Sequence, residues 1–350
     1  MKRAALSRQA VLSVLEAFAV GDALGMPTEF MTRREISARF GLVDRLLKPE
    51  ESKNHSDLRR GQVTDDTEQV LALLDEYCLK DRIDPEKTAD RLLRWMKESG
   101  AVEKRYIGPS SKIALEAIGA GADPAKAGQG GTTCGGVMRS PAAVLFALAR
   151  GLPLDASVQA CLLPTHNTQP ALETATAYAF ALSEALEGGD PAGIAAAVGR
   201  GSLAGSALAP WERCGASLSA RIGHFLSILP GFREPDEVLD FLYGVYGTGL
   251  ESVDVAAAAI CIFLYAAGDT WLCLRMGASV GGDTDTIAAL AGALSAAHRA
   301  SRGEDHSIPV DILDEVIKGN GLDLQALVAR LIPGEGPAPG KDAGEKRSVL

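Results

Sequence analysis

The sequence predicts an all-α fold, on three observations. Hydrophobic residues fill 47% of its 350 positions but aromatic residues only 5%. Alanine and glycine recur almost throughout, which suits helices packed closely through small side chains. Short Val/Ile/Thr runs of alternating polarity between turns, the mark of a sheet, are scarce. In their place, apolar positions recur at helical spacing behind capping residues, segment after segment.

The length suffices to bury a sizeable core, and nothing in it forces a division. We expect one domain over residues 1–332 and a disordered tail over 333–350, where Gly, Pro, Lys, Asp and Glu replace apolar periodicity. A formal charge of −10 argues against general nucleic-acid binding. Six cysteines, Cys78, Cys134, Cys161, Cys214, Cys261 and Cys273, stand far apart with no C-x-x-C pair. They fit the reduced thiols of a cytoplasmic protein better than a disulfide frame or a zinc site. Met1-Lys2-Arg3 is basic, but the segment after it is amphipathic and interrupted by Glu16 and Asp22, so no secretory signal is expected. The most apolar run, Val255 to Ala267, is too short to span a bilayer. Oligomeric state has no readable signature.

Ser7 caps a first helix whose inner face carries Val11, Leu12, Leu15, Phe18 and Ala19. It ends in Gly21-Asp22-Ala23-Leu24-Gly25-Met26-Pro27-Thr28-Glu29, where Gly25 and Pro27 stop the helix and send Glu29 out on irregular backbone. Alone, Glu29 reads as a surface acid. Lys48–Val63 is polar, with His55 and Arg59-Arg60, and reads either as a surface excursion or as a lid over the acids that follow it. Thr64-Asp65-Asp66-Thr67-Glu68 heads a helix with Val70, Leu71, Leu74, Tyr77 and Cys78 inside. Asp84-Pro85 opens another that runs to Gly100, and Ser110-Ser111 a third through Leu115 and Ile118. Ser140-Pro141 starts a helix leading to Leu148, and Pro164-Thr165-His166 precedes one from Ala171 to Leu186. Helical segments follow around Ala192–Val198, Leu218–Leu229, Pro235–Val245 and Val253–Ala267, and Trp271–Met276 leads on to the next motif. Gly281-Gly282-Asp283-Thr284-Asp285-Thr286 then opens an alanine-rich helix to near Arg302, and Ile308–Lys318 and Leu322–Leu331 close the chain.

Two of these helix starts share an unusual chemistry. At each, capping explains one acid: Asp65 with Glu68 reads as a capping box, and Asp283 as an N-cap. Each carries a further carboxylate and hydroxyls that capping leaves over. Clustered carboxylates repel unless a cation neutralises them, and all-oxygen donors suit Mg²⁺, Mn²⁺ or Ca²⁺ rather than zinc. We read a hard-metal site, with room in the motif for two ions. Between the two, Gly130-Gly131-Thr132-Thr133-Cys134-Gly135-Gly136 places glycines around two hydroxyls. Such a loop either holds phosphate oxygens on backbone N–H groups or is a plain flexible turn. Gly277-Ala278-Ser279-Val280-Gly281 fits the G-x-S-x-G pattern of a nucleophilic serine, but no strand precedes it in a helical context.

Taken in order, Gly21–Gly25 with Glu29, Thr64-Asp65-Asp66-Thr67, the glycine loop ending in Val137-Met138-Arg139, Thr165-His166, and Gly281–Thr286 resemble the ADP-ribosylglycohydrolase family. The resemblance covers roughly Ala10 to Arg302. It implies a compact, single-domain orthogonal helical bundle with two Mg²⁺, in some members Mn²⁺, in a cleft. The metal ligands would be Thr64, Asp65, Asp66, Asp283, Asp285 and Thr286, with Glu29 beside them. Residues Gly130 to Gly136 would cradle the diphosphate of ADP-ribose, and His166 would help hold it. The implied reaction is hydrolysis of the bond between C1 of the distal ribose and an acceptor. Glu29 is the candidate general acid/base, a role that Asp65 or Asp66 could share. Alternatives are a non-catalytic ADP-ribose-binding or structural relative, or a hydrolase of another nucleotide or ribosyl compound. One departure stands out: Cys134-Gly135-Gly136 replaces the family's common Gly-Asn-Gly. A cysteine lacks the amide's donor and acceptor, so phosphate contacts there are expected from backbone.

Overall fold

A computed structural model describes residues 6–104, 106–266 and 268–334. Among them lie seventeen α-helices, several short 3₁₀ turns, one π-helical turn and a single isolated β-bridge, with no strand. The first eight helices are α1 (Arg8–Gly25), α2 (Arg33–Phe40), α3 (Asp65–Lys80), α4 (Pro85–Ser99), α5 (Pro109–Gly119), α6 (Pro124–Ala127), α7 (Gly135–Arg150) and α8 (Leu154–Leu162). They are followed by α9 (Gln169–Leu186), α10 (Pro191–Leu208), α11 (Leu218–Ile228), α12 (Pro235–Phe241) and α13 (Ser252–Ala266). The last four are α14 (Thr270–Ser279), α15 (Thr284–Ala300), α16 (Val310–Gly319) and α17 (Leu324–Leu331). Of the expected C-terminal tail, residues 335–350 lie outside the described residues.

The all-α expectation holds, and most helix starts fall where their caps predicted. The Ser7 hydroxyl accepts from Ala10 N–H, and Asp84 accepts from Glu86 and Lys87 N–H ahead of Pro85. The helix expected from Ser140-Pro141 instead begins at Gly135, leaving Pro141 inside it. Proline has no N–H for the carbonyl four residues back. That carbonyl, Val137 O, accepts from the Ser140 hydroxyl at 2.7 Å. The segment expected over Ala192–Val198 extends to Leu208, where Gly201 and Gly205 lie against the backbone of α9 and do not break the helix.

The core is built around α1 and α15, which pack along much of their length. Arg8–Thr28 is apolar and long enough to cross a membrane by composition alone, yet 94% of that window is buried within the protein. Close approach of α1 and α15 depends on two glycines one turn apart. A Cβ at Gly21 would lie 2.5 Å from Ala289 N, and one at Gly25 would lie 2.4 Å from Thr284 O. Backbone thus meets backbone at the first turn of α15, which carries Asp285. Gly25→Ala should cost roughly 1–3 kcal/mol by overpacking. Urea unfolding measures it, and a midpoint within error of wild type would show that the two helices can separate without cost.

Candidate active site

Three helix ends and one turn converge on a buried carboxylate group. Asp22 comes from the last turn of α1, Asp65 and Asp66 from the first turn of α3, Asp283 and Asp285 from the start of α15, and Glu29 from the turn after α1. Ligand atoms of Asp22, Asp66 and Asp285 lie within 4.8 Å of one another, as do those of Glu29, Asp283 and Asp285. Asp285 belongs to both triplets.

Capping does not account for these acids. Neither Thr64 nor Asp283 caps its helix through its side chain. Asp22 satisfies the N-terminus of α3 instead: its carboxylate accepts from Thr64 N–H, Thr67 N–H and both threonine hydroxyls, at 2.6–3.1 Å. Glu68, the expected partner in a capping box, turns away and accepts from Trp95 Nε1 at 2.8 Å and Tyr106 OH at 3.0 Å. Asp65 accepts from Gln69 Nε2 at 2.8 Å and stands outside both triplets. The hydroxyl of Thr286 lies toward Asp283.

Both carboxylate oxygens of Asp66 and Oδ2 of Asp283 are buried without a hydrogen-bond partner. A buried carboxylate left so costs several kcal/mol when ionised. Burial first, then the charge of Asp285, pushes Asp65 and Asp66 well above the usual carboxylate range. Burial and then the charge of Asp283 do the same to Asp285. Burial raises Asp283 to about 6. The donor set is all oxygen and the missing partners are cationic, so these residues fit one or two hard divalent cations.

The electrostatics give a sign that can be tested. Glu29 and Asp283 have folded-state pKa values above their ordinary ones, about 7 and about 6. Their stabilising contribution is full below pH 4 and lost as pH rises through 6–7, by roughly 3 kcal/mol for a rise as large as that of Glu29. Thermal melts in EDTA should therefore fall between pH 5 and 8, and a saturating divalent cation should remove the fall. Melts in EDTA that rise over this range would contradict the cluster's assigned charge.

Glu29 is half-buried and in close contact with the His55 ring, and Asn54 Nδ2 donates to its carbonyl at 3.0 Å. The Lys48–Val63 segment therefore lies over Glu29, with His55 and Leu58 buried. Burial and the charge of Asp285 raise Glu29, while the His55 contact opposes them. Phe30 follows in the left-handed region at φ 59°, rare for an aromatic residue. It is held there by Phe30 N–H to Gly282 O at 2.8 Å and Gly282 N–H to Met31 O at 3.0 Å. Gly281 and Gly282 themselves turn at φ 84° and 80°.

The glycine loop lies beside Asp283, with the Cys134 thiol within hydrogen-bonding reach of that carboxylate. Two expectations for the loop need correction. Not all its backbone is free for phosphate: Cys134 N–H donates to Leu250 O at 2.8 Å and Gly131 N–H to Gly128 O at 3.1 Å. Gly135, Gly136 and Val137, in the first turn of α7, keep the free N–H groups of a helix start. The glycines answer mainly to packing beneath the loop, since a Cβ at Gly131 would fall 2.1 Å from Thr165 O and one at Gly135 would fall 2.9 Å from the His166 ring. Gly130 is exposed with open space around it, and Thr132 is half-buried. His166, expected at the diphosphate, is wholly buried under the loop with both ring nitrogens engaged, by Thr133 on one side and by Thr165 and Arg139 on the other. The Ser279 decoy also resolves: it lies buried in α14, donating to Arg275 O and accepting from Val43 N–H.

Sequence reasoning missed Asp22 as a member of the cluster. Its signal was present, because Asp22 continues the inner-face series Val11, Leu15, Phe18 as a carboxylate on an otherwise apolar stripe. Gln69 and the His55 contact had no local signal, and Arg139 was marked only as the end of the Val137-Met138-Arg139 motif.

An all-helical scaffold that gathers acids from distant helix ends into one buried, cation-fitting group defines a protein with a carboxylate-centred site. The comparisons agree and go further: the sequence model of the ADP-ribosylglycohydrolase family matches residues 3–339, and the chain belongs to that family. It is 32% identical over 336 residues to the uncharacterized protein YegU of Escherichia coli K12, covering 93% of this chain and 97% of that one. An uncharacterized protein of Archaeoglobus fulgidus is 30% identical over 282 residues, covering 80% and 84%. The ADP-ribosyl-[dinitrogen reductase] glycohydrolase of Rhodospirillum rubrum is 31% identical over 157 residues, 45% of this chain and 51% of that one. A solved structure, titled an ADP-ribosylglycohydrolase-related protein complex, shares the fold at TM-score 0.65 and 24% identity, over 93% and 97% of the two chains.

Proposed function

We propose that the protein is a metal-dependent hydrolase that removes ADP-ribose from an acceptor by cleaving the glycosidic bond at C1 of the distal ribose. The observation that carries this is the pair of buried carboxylate triplets sharing Asp285, with unpartnered oxygens on Asp66 and Asp283, beside the free N–H groups that open α7. Family membership supplies the substrate class, and the Rhodospirillum relative supports it.

Asp22, Asp66 and Asp285 would hold one Mg²⁺, and Glu29, Asp283 and Asp285 a second, with Mn²⁺ able to replace either. Thr64, Asp65 and Thr286 stand next to these groups. When bound, such ions orient ribose hydroxyls and lower the pKa of a coordinated water. The first turn of α7 would bind diphosphate oxygens through the N–H groups of Gly135, Gly136 and Val137. The buried carboxylates stabilise positive charge that develops on the ribose as the bond breaks. Glu29 is the one acid of the second triplet that also meets a side chain of the Lys48–Val63 segment, His55, and we assign it the acid/base role. His55 fixes the carboxylate, and Asn54 holds the backbone carbonyl of Glu29. The test is release of free ADP-ribose from a panel of ADP-ribosylated acceptors, arginine-, serine- and nucleic-acid-linked, in Mg²⁺ and in EDTA. Metal-dependent release from any member supports the reading, and none from all of them contradicts it.

A further inference from the structure

Beneath the carboxylate group and the glycine loop runs a buried hydrogen-bonded chain. Gln69 Nε2 donates to Asp65 Oδ2 at 2.8 Å, and Arg139 Nη1 donates to Gln69 Oε1 at 3.1 Å. Arg139 Nη2 donates to Thr165 Oγ1 and to His166 Nδ1, the latter at 3.3 Å. His166 Nε2 lies 3.2 Å from Thr133 Oγ1 in the loop. Arg139, Gln69, Thr165 and His166 are wholly buried. The acceptors of Arg139 are all neutral, Gln69, Ser111, Thr165 and His166, and its Nε has no partner. A buried guanidinium without an anion beside it needs a reason, since burying a charge without a partner is costly.

The reason lies in the direction of the donors. A guanidinium only donates. Gln69 must therefore turn its oxygen to Arg139, which leaves its amide hydrogens for Asp65. Thr165 Oγ1, which accepts from Arg139 Nη2, gives its own hydrogen to His166 Nδ1 at 2.8 Å, and Arg139 Nη2 donates to the same nitrogen, so Nδ1 accepts and the ring proton sits on Nε2, aimed at Thr133 Oγ1. Burial and the charge of Arg139 keep that ring neutral. The Thr133 hydroxyl, its oxygen already accepting, is left with a hydrogen for which no acceptor stands among the described residues. One cation thus directs donors two ways, to an acid of the metal group and out from the glycine loop.

We propose that Arg139 is a positioning residue that sets both halves of the site. Through Gln69 it fixes Asp65, which borders the cation triplets beside Asp66, and through His166 it presents the Thr133 hydroxyl as a donor to a phosphate oxygen of the ligand. The second half rests on the function proposed above; the first does not. The Val137-Met138-Arg139 motif thereby acquires a role in the site although its arginine contacts no ligand.

The experiment measures two affinities separately on the full chain: Mn²⁺, by the paramagnetic resonance of free ion, and ADP-ribose, by calorimetry at saturating Mn²⁺. Gln69→Leu should weaken Mn²⁺ binding by up to about tenfold, because it releases Asp65, the carboxylate that borders the triplets at the head of α3 beside Asp66, and leave ADP-ribose affinity close to wild type. Thr133→Val should weaken ADP-ribose by about tenfold, one charge-assisted hydrogen bond, and leave Mn²⁺ unchanged. Arg139→Lys, which keeps the charge but not the fork, should weaken both. A merely structural role would lower the melting temperature of all three without this split. Gln69→Leu with wild-type Mn²⁺ affinity, or Thr133→Val with wild-type ADP-ribose affinity, overturns the proposal even if Arg139→Lys does not fold. If the wild-type chain binds Mn²⁺ but not ADP-ribose, the proposed function fails, and with it the ligand half; the metal half is still decided by Gln69→Leu.

Discussion

Exchanging Asp285 for asparagine should abolish metal binding and the proposed hydrolysis while making the metal-free protein more stable. Asp285 is the one carboxylate common to both triplets. An amide in its place keeps the shape but removes a negative charge from each. Divalent cation affinity should drop by at least about 100-fold, because the remaining acids cannot balance either ion, and turnover should fall by about 10³-fold or more with it. The opposite effect appears in EDTA. Burial and then Asp285 raise Asp66 and Glu29, so repulsion within the group is a cost that the substitution removes. Melting should rise by a few degrees, at roughly 2–4 °C per kcal/mol for a large domain. Calorimetric titration with Mg²⁺ and melts in EDTA decide the matter. A variant that still binds metal, or one that melts lower in EDTA, would contradict the shared role.

Glu29→Gln should lower turnover by about 10²- to 10⁴-fold, the range of general acid/base groups, with ADP-ribose affinity within a few-fold of wild type. Glutamine keeps the size of the side chain and an oxygen for His55, but it cannot exchange a proton. The substitution also separates two roles that geometry alone leaves together, because Glu29 contacts His55 while standing within the second triplet. A fall in Mg²⁺ affinity equal to the fall in rate would make it a ligand first. Unchanged turnover would remove it from the chemistry.

Much of this was legible in the residues. Helix caps set most boundaries, and the doubled acids of Thr64–Glu68 and Gly281–Thr286 pointed to a cation site because capping uses only one acid of each. What remained hidden was relational. Asp22 contributes because Gly21 and Gly25 let α1 touch the backbone of α15, and Arg139 reaches Gln69 from 70 positions away. Local pattern carries helical period and caps, and it does not carry which side chains meet across helices. The glycine loop shows the same limit: it was read as a phosphate cradle or a plain turn, but Gly131, Gly135 and Gly136 are required by Thr165 and His166 underneath.

The most direct test of the account is calorimetric titration of the purified protein with ADP-ribose, first in Mg²⁺ and then in EDTA. The account predicts binding that is present with metal and lost or greatly weakened without it, because the carboxylates around Asp285 meet the ribose only through a cation. Binding of equal strength in both conditions would separate the ligand from the carboxylate group, and absence of binding in both would remove ADP-ribose as its ligand.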